Sequence, residues 1–117
     1  MTQYVVMFPA DDEAAWEAGS EADHQAVYDV DARFRRLLEE RGGTVTGGAA
    51  LAHSSGARTL RAHGRAHALV TEGPYAETVE QLSGFYLVTC ADHQALVEAA
   101  EVLVQAHPVV EIRPVEE

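Results

Sequence analysis

Two helix-periodic segments sit among short apolar strands in the order strand, helix, strand, hairpin, strand, helix, strand. This order predicts an α+β domain, a ferredoxin-like sandwich with an inserted β-hairpin. The two halves of the chain resemble each other, each pairing one helix with its flanking strands around a shared sheet. A further observation concerns cover. The first strand and the strand around Phe85 are apolar on both faces, yet two helices protect only one face of a sheet. A twofold dimer that stacks sheet on sheet is the simplest source of the missing cover, so a homodimer is expected. At 117 residues the chain is long enough for one core and not for two, and residues 1–117 are read as a single domain.

Tyr4-Val5-Val6-Met7-Phe8 alternates two apolar faces, and Pro9 ends the strand. Residues 10–20 form a loop with one helical turn near Glu13 to Glu17; Trp16, the only tryptophan, either pins this loop or walls a pocket. Ser20 with Asp23 opens a helix that runs to about Arg41, with Val27, Val30, Phe34, Leu37 and Leu38 as its buried stripe and Gly42-Gly43 as its stop. Asp31 and Arg35 are four apart and read as a surface ion pair. Thr44 to Leu51 is a strand whose Gly47-Gly48 pair predicts a bulge or a close backbone approach. Ala57 to Ala62 and Ala66 to Thr71 form a hairpin around His63-Gly64-Arg65, and Gly73-Pro74 forces a turn. Ala76 to Leu82 fits one short helical turn, followed by a strand over Ser83 to Thr89. Asp92 caps a second helix from His93 to about Gln105, with Leu96, Ala99, Ala100 and Leu103 inward, and Val109 to Val115 closes the sheet.

Composition excludes several functions. The formal net charge of −11 repels a phosphate backbone and an anionic bilayer, so neither nucleic acid nor membrane is an expected partner. No apolar run approaches the length of a membrane span and no signal-peptide pattern opens the chain, so a cytoplasmic location is expected. There is no lysine, which removes Schiff-base chemistry and a phosphate-loop lysine. Cys90 stands alone at the end of an apolar strand and reads as a buried, inert thiol. Ser54-Ser55-Gly56 and Ser83-Gly84 lack the hydrolase elbow, and neither glycine pair opens a helix as a dinucleotide site requires. His53, His63 and His67 fit no metal-ligand spacing; the six histidines read as scattered over the surface, and no metal or cofactor is expected.

The stretch from Leu69 to Val88 gathers the chemistry. Glu72, Glu77 and Glu80 offer carboxylates for general acid–base work if one is desolvated, with His24 or Tyr86 as a second proton-transfer group. The catalytic candidates are Glu72, Glu77 and His24. A small-molecule pocket would be lined by Glu72, Tyr75, Glu77, Glu80, Tyr86 and Trp16. The same glutamates are alternatively capping residues, or ligands for a divalent cation.

Glu72-Gly73-Pro74-Tyr75-Ala76-Glu77-Thr78-Val79-Glu80, followed by Gly84-Phe85-Tyr86, resembles the signature of the DGPF (DGPFAETKE) family within the YCII-related domain proteins. The opening Tyr4-Val5-Val6-Met7, the loop tryptophan Trp16 and the closing Val109-Val110-Glu111-Ile112-Arg113-Pro114-Val115 are similar as well. The resemblance implies a dimeric α/β barrel and no settled reaction. It also implies an accessory, ligand-binding or signalling role, with a link to an extracytoplasmic-function sigma factor in some relatives; the alternative is a cofactor-free enzyme. Three positions depart from the signature: Glu72 for aspartate, Tyr75 for phenylalanine, and Val79 for its one lysine. The broader group is proposed to use a His–Asp pair with the histidine on the first helix. Tyr28 to Arg35 holds none and His24 lies too near the helix start, so the resemblance does not supply that pair here.

Overall fold

A computed structural model describes residues 1–9, 11–65, 67–74 and 82–116. Strand β1 (Thr2–Met7) leads through a short helix α1 (Glu13–Ala18) into the long helix α2 (Glu21–Glu40). Strand β2 (Thr44–Ala50) is followed by a 3-10 turn at Ser54–Gly56 and by the hairpin β3 (Arg58–Ala62) and β4 (Ala68–Glu72). Then come β5 (Gly84–Cys90), helix α3 (His93–Ala100), a 3-10 segment at Glu101–Gln105 and β6 (Glu111–Pro114). The main sheet runs β2-β5-β1-β6 with every pairing antiparallel, the strand order of a ferredoxin-like sandwich. The hairpin is a separate two-stranded sheet.

The helix signals act where the sequence places them. Ser20 Oγ accepts from the Asp23 N–H while the Asp23 carboxylate accepts from the Ser20 N–H, a complete capping box. At the other end of α2, Gly42 takes φ +82°, and Gly42 and Gly43 donate to the Glu39 and Leu38 carbonyls, which closes the helix. The second helix departs from the single span expected to Gln105: its last turn tightens into a 3-10 segment after Ala100. Within β2 the register slips between Val45 and Gly47, and Gly48 adopts φ +138°. A side chain there would meet the Phe85 carbonyl oxygen at 2.3 Å.

Tyr4, Val6 and Phe8 of the first strand and Val88 and Cys90 of β5 face the helices. They pack on Phe34, Leu38, Leu96, Ala99, Ala100, Val102 and Leu103. The Cys90 thiol is buried and free, 3.3 Å from the Asp92 carbonyl oxygen. The opposite sheet face follows from the same register. One row runs Glu111, Met7, Phe85, Ala49 and the next Arg113, Val5, Leu87, Gly47, flanked by Gln3 and Thr89. It is an apolar centre with a polar rim, and no described element covers it. The chain is 18 Å deep along its shortest axis, the depth of one sheet and one helix layer.

Candidate functional site

Polar groups intrude at one end of the helix–sheet interface. Leu96, Ala99, Ala100 and Leu103 turn inward, and His107 falls next in the same phase. Its N–H donates to the Leu103 carbonyl at 2.9 Å, and Pro108 prevents a further turn. The histidine is therefore carried into the core and is only 8% exposed. Its ring stacks on Phe8, just past the end of β1, with centroids 4.0 Å apart and planes within 15°.

Two carboxylates bracket that ring. Asp31 follows Val27 by four residues and precedes Phe34 by three, which puts it on the buried stripe of α2; its Oδ1 lies 3.2 Å from His107 Nε2. On the other side Asp11 Oδ2 is 3.8 Å from His107 Nδ1. Ser83 Oγ, 2.8 Å from both Asp11 Oδ2 and the Phe8 carbonyl, braces Asp11 against the start of β5. His107 Nδ1 itself is buried and has no hydrogen-bond partner. The chemistry follows from the tautomers. The Asp31 contact keeps a proton on Nε2, so the neutral ring turns a bare lone pair toward Asp11, whereas the charged ring offers an N–H to each carboxylate.

Tyr86 completes the cluster from β5. Burial pushes its hydroxyl above the ordinary value, the Asp31 charge adds to the shift, and the Arg35 guanidinium opposes it. Arg35 lies over the Tyr86 ring at 5.2 Å, and Phe34 stacks on it at 5.7 Å. Asp31 and Arg35, read from sequence as a surface pair, instead serve the cluster: Asp31 turns to His107 and also acts on Tyr86, over whose ring Arg35 lies. His107 likewise departs from the reading of six surface histidines, because the final turn of the second helical segment carries it inward.

The remaining sequence candidates distribute over three places. Glu72 ends β4 with its side chain in solvent, 4.0 Å from Arg58, a pairing that contributes little at that exposure. Tyr75, Glu77 and Glu80 lie outside the described residues. Trp16 and His24 stack at 4.0 Å, and His24 Nε2 donates to the Trp16 carbonyl at 2.7 Å. Both line an open depression of about 240 Å³ with Asp11, Asp12, Ala15, Gly19, Asp23 and Val27. Asp11 therefore connects this depression to the buried histidine. Among the described residues no group of three or more His, Cys, Asp or Glu side chains is arranged to hold a metal ion, and no helix is long and apolar enough to cross a membrane.

The family model described as the YCII-related domain matches residues 2–117. An uncharacterized protein, R00369, of Rhizobium meliloti (strain 1021) is 34% identical over 114 residues, covering 95% of this chain and 90% of that protein. With the β2-β5-β1-β6 sheet and a match along nearly its whole length, the chain belongs to the YCII-related domain family.

Proposed function

We infer that the protein binds a small polar molecule at the Asp11 wall and moves a proton to or from it through His107. The observation that carries this reading is the buried, unpartnered Nδ1 of His107, which faces a carboxylate on the edge of an open depression. Leaving a buried polar atom unpaired is costly, and such atoms concentrate where a protein does chemistry. Asp31 holds the ring and its tautomer, Phe8 supplies an apolar bed, and Asp11 relays charge to the depression. Tyr86, kept neutral by burial, is a second hydroxyl donor beside Asp31. This acid–base site is built around a histidine from the far end of the chain, whereas the sequence candidates were Glu72, Glu77 and His24.

The same reading includes a homodimer. The apolar patch of Val5, Met7, Phe85 and Leu87 sits on the helix-free face of the sheet, rimmed by polar groups as interfaces are.

A thermal-shift screen of polar metabolites against wild type, His107→Gln and Asp31→Asn tests the site. Compounds are expected that stabilise wild type and lose their effect in both variants. A screen with no such compound, or with hits shared equally by all three proteins, overturns the reading.

A further inference from the structure

Away from the His107 cluster, α1 meets the connection between β2 and β3, and a serine, a histidine and two glutamates come together there. Ser54 fastens the two segments. Its N–H donates to Glu13 Oε2 at 2.7 Å and its hydroxyl to Glu13 Oε1 at 2.5 Å. His53 and Ser55 stand on either side of Ser54, and the tight 3-10 turn over Ser54–Gly56 folds their side chains against each other. Ser55 Oγ lies 3.0 Å from His53 Nδ1.

The tautomer of the ring follows from its neighbours. The Ser55 N–H donates to Nδ1 at 3.0 Å, so Nδ1 carries a lone pair. The neutral ring therefore holds its proton on Nε2, which faces Glu17 Oε1 at 3.5 Å and Glu13 Oε1 at 3.9 Å. With no proton on Nδ1, the Ser55 hydroxyl is the donor in the contact between them. A hydroxyl against one ring nitrogen and carboxylates behind the other is the order of groups that activates a nucleophilic serine. No hydrolase elbow is needed to make it, because a spacing of two residues in a tight turn brings serine and histidine together. Both side chains are exposed, so a carbonyl carbon has access to the hydroxyl.

We propose that Ser55 is a nucleophile, with His53 as its general base, that takes an acyl group from an activated ester. Oγ attacks the carbonyl carbon and passes its proton to His53 Nδ1, and Glu13 and Glu17 stabilise the imidazolium that forms. The ester C–O bond then breaks, and the leaving oxygen takes the proton from Nδ1. When Nδ1 gains the proton it releases the Ser55 N–H, and the nucleophile's own N–H is a usual donor to the oxyanion. The N–H groups of Gly56 and Ala57 are engaged with the His53 and Ser54 carbonyls, so neither adds a second donor. Attack of water on the acyl-serine is correspondingly slow, and the site is an acyl acceptor rather than a fast esterase. The two glutamates repel a substrate that carries a carboxylate, so the ester is an uncharged one. The site shares no residue with the His107 cluster, and either can fail alone.

The chain has no lysine and its one thiol is buried, which removes the usual side-chain competitors for an acyl group. The folded full chain is treated with p-nitrophenyl acetate at neutral pH and mapped by peptide mass spectrometry. The acetyl group is expected on Ser55, with a burst of p-nitrophenolate close to one equivalent per chain and slow turnover after it. Ser20 is the internal control: it is exposed, its hydroxyl accepts from the Asp23 N–H, and no hydrogen bond joins it to a histidine among the described residues. It is expected to stay unmodified. Ser55→Ala should remove the burst, and His53→Gln should slow acetylation of Ser55 by about a hundredfold, with Glu17→Gln slowing it less. An unmodified Ser55, an acetyl group on His53 in its place, Ser20 reacting as fast, or an unchanged rate in His53→Gln overturns the proposal. The comparison of Ser55 with Ser20 on wild type decides it even if a variant unfolds.

Discussion

At the scale of single residues, the cluster depends on pairs that lie far apart in the chain. Asp31 and His107 are separated by 76 positions, and nothing local in the sequence joins them. Two signals were nonetheless present. A carboxylate on the apolar stripe of α2 and a histidine in phase with Leu96, Ala99 and Leu103 both mark polar groups inside a core, where they need partners. The contact between them is a property of the fold and is not encoded in either segment. Asp31→Asn removes the charged acceptor and is expected to cost about 1–3 kcal/mol, measured as a lower urea midpoint with an unchanged slope. Tyr86 gives a prediction in pH. Its folded pKa is raised from the usual 10.0, chiefly by burial, so the folded protein favours the neutral phenol. The stabilisation is therefore complete below the unfolded value and declines as pH rises above it, because the unfolded chain ionises first. Denaturant titrations between about pH 9 and 11 should show this decline in wild type and a smaller one in Tyr86→Phe. An identical alkaline decline in both proteins would show that Tyr86 does not ionise differently on folding.

Elements were the most legible level. Caps, periodic stripes and stop glycines are local, and α2 illustrates this: its box at Ser20 and Asp23 and its Gly42 terminus act within a few residues of themselves. Where tertiary contacts set the geometry, legibility fell. The change from α-helix to 3-10 after Ala100 has no local breaker residue, yet it helps set where His107 emerges. The glycine pair in β2 announced an irregularity without saying which glycine carries it. The structure separates them. A Cβ on Gly47 would lie 3.5 Å from Leu87 Cδ1, an ordinary contact, whereas on Gly48 it would run into the β5 backbone at a positive φ. Gly47→Ala is therefore expected to be nearly neutral and Gly48→Ala to cost more than about 2 kcal/mol, read from paired thermal melts. Equal losses at the two positions would place the strain elsewhere. The capping box adds a second pH effect at this scale. The hydrogen bonds to Ser20, its backbone N–H first, hold the Asp23 carboxyl below 3.8, so their stabilisation is present above that value and is lost as pH falls through the folded pKa. Ser20→Ala removes the hydroxyl from the box and is expected to reduce helix stability by about 1 kcal/mol at neutral pH, with a shallower acid decline than wild type in circular dichroism.

For the whole molecule, the dominant fact is a half-buried apolar sheet face that no described element covers. The chain has a radius of gyration of 16.2 Å, against about 13 Å for a compact chain of its length. Part of the excess is the hairpin, which forms a sheet of its own and pairs Leu60 with Val70, 64% and 57% exposed, on one face. An isolated two-stranded sheet is marginal in water, and a four-stranded sheet with an apolar face that no described element covers is little better placed. The proposed homodimer would answer both, with a twofold axis over the open face that brings Val5, Met7, Phe85 and Leu87 to their symmetry mates and gives the hairpin a neighbouring chain to pack on. Leu87 is the informative position. It lies at the centre of the patch, paired across to Val5 on one side and Gly47 on the other, and on the face away from the core made with α2 and α3. Leu87→Asp should therefore leave the fold intact and damage only association. Losing one buried leucine costs about 1.5–3 kcal/mol, and a twofold interface incurs the loss twice, so dimerisation should weaken by more than about a hundredfold. Light scattering on a sizing column at micromolar concentration is expected to find a dimer for wild type and a monomer for the variant, with matching circular dichroism. A monomeric wild type refutes the dimer outright. A variant that stays dimeric moves the interface off the sheet, and Leu60→Asp then asks whether the hairpin alone supports it.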